Sequence, residues 1–189
     1  MLSNYTQQYD KALSSLKKLE IDKALSLFYL LLKEHPSDYS LIRQIYQLEL
    51  AKPDAAGLEK IANHIFSQPD KSRDFHAIII DTYKELKQRF GSNFSSSLDY
   101  QQALNLFYHI GQTAFREDAE AILQRLKTEN PEHPALASAL FIYCEQLISR
   151  KMFLKAKLEL EFLMIYYTEA RTQIAAEKLY KKVVSGIRH

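Results

Sequence analysis

One spacing recurs four times along the chain and constrains its fold more than any other feature. A small residue stands twelve positions before a residue that stops or caps a helix: Ala24 before Pro36, Gly57 before Pro69, Ala119 before Pro131, and Ala156 before Thr168. A small side chain lets a neighbouring helix approach closely, and proline ends a helix because it has no backbone N–H to donate. Four matches in one register favour a stacked helical repeat over four unrelated amphipathic helices.

The first copy of this frame, residues 21–39, contains every element of a helix and its boundaries. Asp22 is expected to cap the helix at its start, and Ser37 or Asp38 is expected to cap the next one. Between these residues the apolar side chains that share one helical face are Leu25, Phe28, Leu31 and Leu32. This spacing predicts an amphipathic helix that ends before Pro36.

The rest of the chain follows the same pattern, which predicts an all-α fold. Only four glycines and five prolines occur among 189 residues, so the connections should be short. Helices are predicted at 4–19, 22–35, 38–51, 54–68, 70–90, 98–112, 115–129, 133–149, 152–166 and 169–185. The segment GSNFSSS, residues 91–97, is expected to be a loop within a single domain, residues 1–189, with halves 1–90 and 98–189.

Charge and composition argue against several classes of partner. The net charge is +2, and Lys84, Lys87 and Arg89 form no dense basic stripe, so no nucleic-acid partner is expected. Residues 150–189 carry nine Lys or Arg against four Glu, which indicates either a solvated face or a docking site for an acidic partner. No apolar run approaches the ~18 residues that span a bilayer, and the start of the chain is polar. We therefore expect a cytoplasmic chain that does not insert into a membrane.

The motifs of catalysis and metal binding are missing from the sequence. It has no glycine-rich phosphate loop, no HExxH and no CxxC. His35 and His133 precede prolines at predicted helix ends, where an imidazolium suits the helix dipole. The single cysteine, Cys144, fits a reducing compartment and is expected to be a buried, inert thiol. We therefore predict a protein that is not an enzyme and that needs no metal and no cofactor.

The chain resembles the tetratricopeptide (TPR) repeat family. The residues that carry the resemblance are Ala24, Phe28, Tyr29, Leu32 and Pro36, and then Ala119, Leu123, Leu126 and Pro131. The family also favours a small residue twelve positions before the frame alanine; Ala12 and Cys144 fit, whereas Ile45 and Phe107 do not, and the Trp-Leu-Gly signature is absent. The resemblance covers about three quarters of the chain. It implies a right-handed α-α superhelix of about ten helices, with a C-terminal capping helix, that binds a protein or peptide in a concave groove.

By that resemblance, the first helix of each pair lines the groove. The candidates for partner contact are Tyr9, Leu13, Lys17, Tyr39, Ile42, Tyr46, Gln101, Leu104, Tyr108, Phe141 and Glu145. Tyrosine is a good contact residue because it joins a large apolar body to a polar tip. The alternative is that these tyrosines pack between repeats. The lysine-and-asparagine clamp of chaperone-binding family members is absent, because Tyr9 and Leu13 stand where polar groups would be required.

The order of the predicted helices is also similar to the soluble TPR-like extension of some bacterial rhomboid-type membrane proteins. This layout consists of two hairpins, one long helix, a serine-rich break and two more hairpins. It implies an alternative function, in which the chain is a cytoplasmic regulatory or substrate-recruiting domain of a larger membrane protein. A homodimer also stays open, because an uncovered apolar end of a helical stack would self-associate.

Overall fold

The computed structural model describes residues 4–69, 72–111 and 113–187, and among these it contains ten α-helices and no β-strand. The helices are α1 Asn4–Lys17, α2 Ile21–Glu34, α3 Tyr39–Leu50, α4 Ala56–Ser67, α5 Arg73–Phe90, α6 Tyr100–Ile110, α7 Arg116–Glu129, α8 Pro134–Ser149, α9 Phe153–Tyr166 and α10 Ala170–Ile187. The predicted all-α class is confirmed. Within the described ranges, no helix is both long enough and apolar enough to cross a membrane.

The chain divides into two compact units, Met1–Ser97 and Leu98–His189. In the first unit each of the helices α1 to α5 packs against the next, so that the chain forms two hairpins followed by a long helix. In the second unit α6 packs on α7, α8 packs on α9, and α10 covers α9. The largest fully buried side chains of the two cores include Phe28, Phe66, Phe75, Tyr83 and Tyr143.

The repeated frame sets where four helices end. Helices α2, α4, α7 and α9 all stop two residues before the second residue of their frame, at Glu34, Ser67, Glu129 and Tyr166. The residue four positions after the small residue is buried in all four copies: Phe28, Ile61, Leu123 and Leu160. The spacing in the sequence therefore corresponds to a common helix end and a common core position.

Two hairpins share one turn geometry, and neither turn has the glycine that would have predicted it from the sequence. Leu19, between α1 and α2, and Lys151, between α8 and α9, both adopt positive φ angles, 61° and 59°. The next residue in each turn donates its backbone N–H five positions back, from Glu20 to Ser15 and from Met152 to Leu147. This is the Schellman motif, whose left-handed position usually holds glycine. Both turns therefore carry local strain.

The predicted caps are confirmed in part. Asp38 accepts a hydrogen bond from the backbone N–H of Leu41 at 3.1 Å and caps α3. The cap predicted at Asp22 is wrong, because α2 already begins at Ile21 after the Schellman turn and its N-terminal flanking residue, Glu20, makes no side-chain cap. A turn closed by backbone hydrogen bonds leaves no role for an aspartate cap.

The segment predicted as a serine-rich loop, Gly91–Ser97, is instead a 3₁₀ helix. Gly91 ends α5 with a φ of 71°. The ring of Phe94 then packs on the buried ring of Tyr83, with 5.3 Å between centroids. One aromatic anchor and a left-handed glycine thus order a stretch whose composition favours a loop.

Candidate functional site

The first unit has an open groove of about 580 Å³ between helices α2 and α4. Its lining residues come from one face of each helix and from the residue that follows α2: Ser26, Tyr29, Leu30, Leu32, Lys33, Pro36, Lys60 and His64. A volume of this size lies within the range of ligand-binding clefts, roughly 300–1,000 Å³.

The spacing of the lining residues explains the shape of the groove. On α2, Ser26 is followed three and four positions later by Tyr29 and Leu30, and these by Lys33, while Leu32 adds a largely buried side chain; on α4, Lys60 and His64 are four positions apart. Residues three and four apart share one side of a helix. At the rise of an α-helix, the wall from Ser26 to Lys33 is roughly 10 Å long. The groove is therefore a channel between two helix faces, long enough for a few residues of a bound chain.

The two walls run in the same direction. The Lys60 ammonium lies over the Tyr29 ring, 3.9 Å from its centroid. One turn further along α4, His64 Nε2 hydrogen-bonds the carbonyl oxygen of Pro36 at 2.7 Å. Residue numbers rise on both sides from the first contact to the second, so α2 and α4 are parallel. The second contact also closes one end of the groove.

A buried carboxylate lies behind the groove and fixes the Tyr29 ring. The Tyr29 hydroxyl donates a hydrogen bond to Glu49 Oε1 at 3.0 Å, and Glu49 is only 4% exposed. Lys52 Nζ approaches the same carboxylate at 3.7 Å. Burial, followed by the charge of Glu49, raises the pKa of Tyr29 well above its usual range. The hydroxyl therefore stays protonated, and the ring edge is held in place.

The small residue in the second copy of the frame is Gly57, and the Glu49 carboxylate explains why it is glycine. A Cβ atom built on Gly57 would overlap the carboxyl group of Glu49. The other three copies of the frame carry alanine at this position. The glycine thus allows α3 to place a buried carboxylate against the start of α4.

The charge of the groove is positive and its floor is partly apolar. Lys33, Lys60 and His64 line it, whereas no Asp or Glu does. Leu30 is 55% exposed in the same wall. Among the described residues, no ion pair joins Lys33 or Lys60 to a carboxylate. An exposed leucine and two lysines that line the same groove suit a ligand that is both apolar and anionic.

The corresponding helices of the second unit, α7 and α9, are bridged by their own side chains. Lys127 Nζ forms an ion pair with Glu159 Oε2 at 2.9 Å and lies 4.4 Å from the centre of the Phe162 ring. Both charged side chains are largely buried, at 14% and 5% exposure. The space that is open in the first unit is thus filled here by a lysine, a glutamate and a phenylalanine.

A second bridge joins α7 to α8 and α9. Glu120 contacts Lys155 Nζ at 2.5 Å and accepts a hydrogen bond from the Tyr143 hydroxyl at 3.1 Å. Burial raises the pKa of the Glu120 carboxyl, but the hydrogen bonds from Lys155 and Tyr143 outweigh burial and leave the pKa below its usual value. The carboxylate is therefore charged at neutral pH and stabilises the second unit.

None of the eight principal residues predicted from the family resemblance lines the α2/α4 groove. Lys17, Gln101 and Glu145 are exposed, Tyr9, Leu13, Tyr39 and Tyr108 are half-buried, and Tyr46 is 7% exposed. The additional candidates Ile42 and Leu104 are buried, and Phe141 is half-buried. A concave groove built from the first helices of the pairs stays a prediction.

Several of these tyrosines pack against the core. The Tyr9 ring meets Phe28 edge-on, with 5.5 Å between centroids, and the Tyr39 ring meets Phe75 in the same way at 5.4 Å. Burial raises the pKa of Tyr46 to about 12. These contacts favour the alternative that the tyrosines pack between helices.

Glu145 lies at a depression of about 560 Å³ in the second unit. This depression is formed by α8, the start of α9 and the end of α10, and Phe153 and Lys182 also line it. A Cβ built on Gly186 would lie 2.7 Å from the Phe153 ring, so the ring packs directly on the glycine. The depression contains both signs of charge and, unlike the α2/α4 groove, offers no single electrostatic preference.

Helix α9 also carries an apolar stripe on its outer side. Leu154, Leu158 and Ile165 are between 63% and 70% exposed. At 100° per residue, they lie opposite the buried side of the helix, which contains Ala156 and Leu160. A helix that is apolar all round is normally buried all round. This stripe is therefore a second candidate contact surface.

The structure offers little support for a catalytic or metal centre. Within the described ranges, no three His, Cys, Asp or Glu side chains cluster in a way that would hold a metal ion. Cys144 is fully buried, as predicted, and burial followed by the charge of Glu159 raises its pKa to about 12. A thiol with so high a pKa is a poor nucleophile at neutral pH.

Sequence reasoning missed the α2/α4 groove although one signal pointed to it. Residues 25–32 read LSLFYLLL, which is more apolar than a helix with one buried side requires. Some of these side chains must stay exposed unless another element covers them. In this stretch Leu30 is the apolar side chain that stays exposed, at 55%. The family resemblance directed attention to the first helices of the pairs, whereas this groove lies between second helices.

The chain was compared with protein-family models, with curated proteins and with solved structures, and no match was found.

Proposed function

We propose that this chain is a non-catalytic protein-interaction scaffold whose first unit binds a segment of a partner protein in the α2/α4 groove. The observation that carries this proposal is the exposed Leu30 in an open channel of about 580 Å³ that Lys33 and Lys60 also line. A channel between two parallel helix faces suits an elongated ligand, because its contacts are distributed along the length of the walls.

The chemistry of the lining supports binding rather than catalysis. The groove contains no carboxylate, and its histidine, His64, is engaged with the carbonyl oxygen of Pro36. The hydroxyl of Tyr29 points to Glu49 and remains protonated. These groups supply charge and apolar surface, whereas proton transfer requires a free acid or base near neutrality.

The fold that we propose for the stacked hairpins is a TPR-like right-handed superhelix in the cytoplasm. Its support is the common frame: four helices end two residues before the frame's second residue and bury the same core position. Ala12 and Cys144, the small residues expected in first helices of this family, are fully buried. An experimental structure would test the handedness and the repeat geometry directly.

The groove is tested by selecting binding peptides from a displayed library of short random sequences, using the folded chain as bait. The selected peptides should bind Leu30→Ser at least ten-fold more weakly, which corresponds to about 1.4 kcal/mol. Ile174→Ser is the matched control, because Ile174 is equally apolar, 69% exposed and located on α10, outside both candidate contact surfaces. Equal binding to the wild type and to Leu30→Ser would contradict the groove assignment.

A second candidate function is that of a regulatory or substrate-recruiting domain within a larger membrane protein. The observation that favours it is the uncovered apolar stripe of Leu154, Leu158 and Ile165 on α9, which suits packing against another domain. Fractionation of the source cells and a blot for the natural polypeptide test this candidate. A band near 22 kDa outside the membrane fraction would contradict it.

A further inference from the structure

We infer that the segment bound in the α2/α4 groove is an acidic peptide that also carries a bulky apolar side chain. This inference rests on the proposed function and specifies the chemistry of the partner. The groove provides two features that such a peptide would satisfy together: unneutralised positive charge on both walls and an exposed apolar surface between them.

The positive charge comes from both sides of the channel. Lys33 belongs to α2 and Lys60 belongs to α4, and both side chains are exposed. Neither forms an ion pair with a carboxylate in the described part of the chain, and no carboxylate lines the groove. Because two cations on facing walls repel each other, an anion between them would be bound with favourable interactions on both sides.

The α7/α9 pair of the second unit, which follows the same frame as α2/α4, contains a carboxylate between its helices. Glu159 stands three positions after Ala156, just as Lys60 stands three positions after Gly57. In the second unit this glutamate pairs with Lys127 on the facing helix at 2.9 Å. In the first unit that position is Lys60, and the position that matches Lys127, eight residues after the small residue, is Leu32. Lys60 therefore has no carboxylate opposite it on α2. A carboxylate of the partner peptide would give Lys60 an ionic partner of the kind that Lys127 has in the second unit.

The apolar requirement comes from Leu30 and its neighbours. Leu30 is 55% exposed, and Leu32 and Pro36 extend the apolar lining towards the closed end of the groove. The Lys60 ammonium covers the Tyr29 ring at 3.9 Å, so this ring is already in contact with a cation. The bulky side chain of the peptide would therefore pack on Leu30 rather than stack on Tyr29.

The spacing on α2 limits how far apart the two groups of the peptide are. Leu30 and Lys33 are three positions apart, so their side chains are neighbours on the helix surface, about 5–6 Å between Cβ atoms. In an extended peptide, residues two apart lie on one side, with a separation of roughly 6.6 Å. The acidic residue of the peptide should therefore lie within two or three positions of its apolar residue.

The experiment uses the full chain and peptides selected from a random displayed library. We expect the Leu30-dependent peptides to be enriched in Asp or Glu next to Leu, Ile, Phe or Met. A selected peptide should bind the Lys33→Gln/Lys60→Gln variant at least ten-fold more weakly, and raised salt should weaken its binding to the wild type. The control is Lys178→Gln/Lys181→Gln, which removes two exposed lysines of α10 and should leave the affinity unchanged.

The outcomes separate this inference from the proposed function. Selected peptides that depend on Leu30 but are neutral or basic would overturn the acidic assignment and leave the groove function standing. Displacement of the peptide by an equal concentration of inorganic phosphate would also overturn it, because the lysines would then bind any small anion. A failure to select any Leu30-dependent peptide would contradict the proposed function itself. Circular dichroism of each variant confirms that the helices are retained.

Discussion

The α2/α4 pair of the first unit and the α7/α9 pair of the second are built on one frame but differ in what lies between their helices. In the second unit a buried ion pair, Lys127 with Glu159, joins the two helices at 2.9 Å. In the first unit the corresponding position on α4 is Lys60, and the space is an open groove of about 580 Å³. Two differences distinguish the bridged pair of helices from the open one: Lys60 stands where α9 has Glu159, and Leu32 stands where α7 has Lys127.

This difference shows how helix pairs built on one frame are either bridged or open without a change of fold. The helix ends and the buried position four residues after the frame's small residue are the same in both units. The buried positions therefore set where the helices end and pack. The side chains that face the neighbouring helix decide whether an ion pair bridges the two helices.

The largest expected effect breaks the closed contact of the second unit. Glu159→Gln removes the carboxylate and leaves the Lys127 ammonium, 14% exposed, without its ion-pair partner. Loss of one member of a buried pair typically costs about 3–5 kcal/mol. We expect the free energy of unfolding, measured with urea, to fall by about 3 kcal/mol.

The control for this variant is the equivalent change in the first unit, Lys60→Gln. Lys60 is exposed and forms no ion pair among the described residues, and its contact with the Tyr29 ring is worth about 0.5–1 kcal/mol, so the free energy of unfolding should fall by less than about 1 kcal/mol. Equal losses in the two variants would mean that the two helix pairs do not differ in the way described.

The next effect concerns the frame position that is glycine in the first unit and alanine elsewhere. Gly57→Ala would place a methyl group on the Glu49 carboxylate, so we expect a loss of roughly 1–3 kcal/mol in the free energy of unfolding. Adding Glu49→Ala to this variant removes the overlap. The second substitution should therefore cost less in the Gly57→Ala background than in the wild type, which a double-mutant cycle with urea denaturation would measure.

A smaller effect depends on pH. The folded state holds the pKa of Glu120 below its usual value, so this group stabilises the protein above its unfolded pKa, about 4.3. That contribution is lost as the pH falls through the lower, folded-state pKa. The Glu120→Gln variant should therefore be less stable than the wild type at pH 7, and the difference should shrink as acid is added. A difference that grows on acidification would show that the carboxylate is not stabilised in the folded state.

The smallest expected effect tests whether the two units share their turns. Leu19 and Lys151 have positive φ angles, a conformation that glycine adopts without steric cost. Leu19→Gly and Lys151→Gly should each raise the free energy of unfolding, by up to about 1 kcal/mol. Similar gains in both variants would support an equivalent turn in each unit, and a loss in either would place that residue's side chain in a stabilising contact.

The sequence predicts the helices of this protein well because each boundary has a local cause. Pro36, Pro69 and Pro131 end three of the frame helices, and Ser72 caps α5. The errors are those for which the cause is not local. Residues 91–97 form a 3₁₀ helix because Phe94 packs on Tyr83, a contact that depends on the folded position of α5.

The groove was harder to predict than the helices for the same reason. Its walls, Leu30 with Lys33 and then Lys60, are separated by 27 or more residues, and no spacing rule joins them. The Lys127–Glu159 pair spans 32 residues, and no spacing rule predicts it from the sequence either. Only the surplus of apolar residues around Leu30 signalled that this side of α2 differs from an ordinary solvated face.

The most direct test of the difference between the two units is a nuclear magnetic resonance titration of the isotope-labelled chain with an acidic peptide selected as above. We predict that amide shifts concentrate on α2 around Ser26 to Pro36 and on α4 around Lys60 and His64, with little change on α7 and α9. Shifts that instead concentrate on α7 and α9, or on the first helices around Tyr9 and Tyr39, would contradict the assignment of the open groove as the binding site.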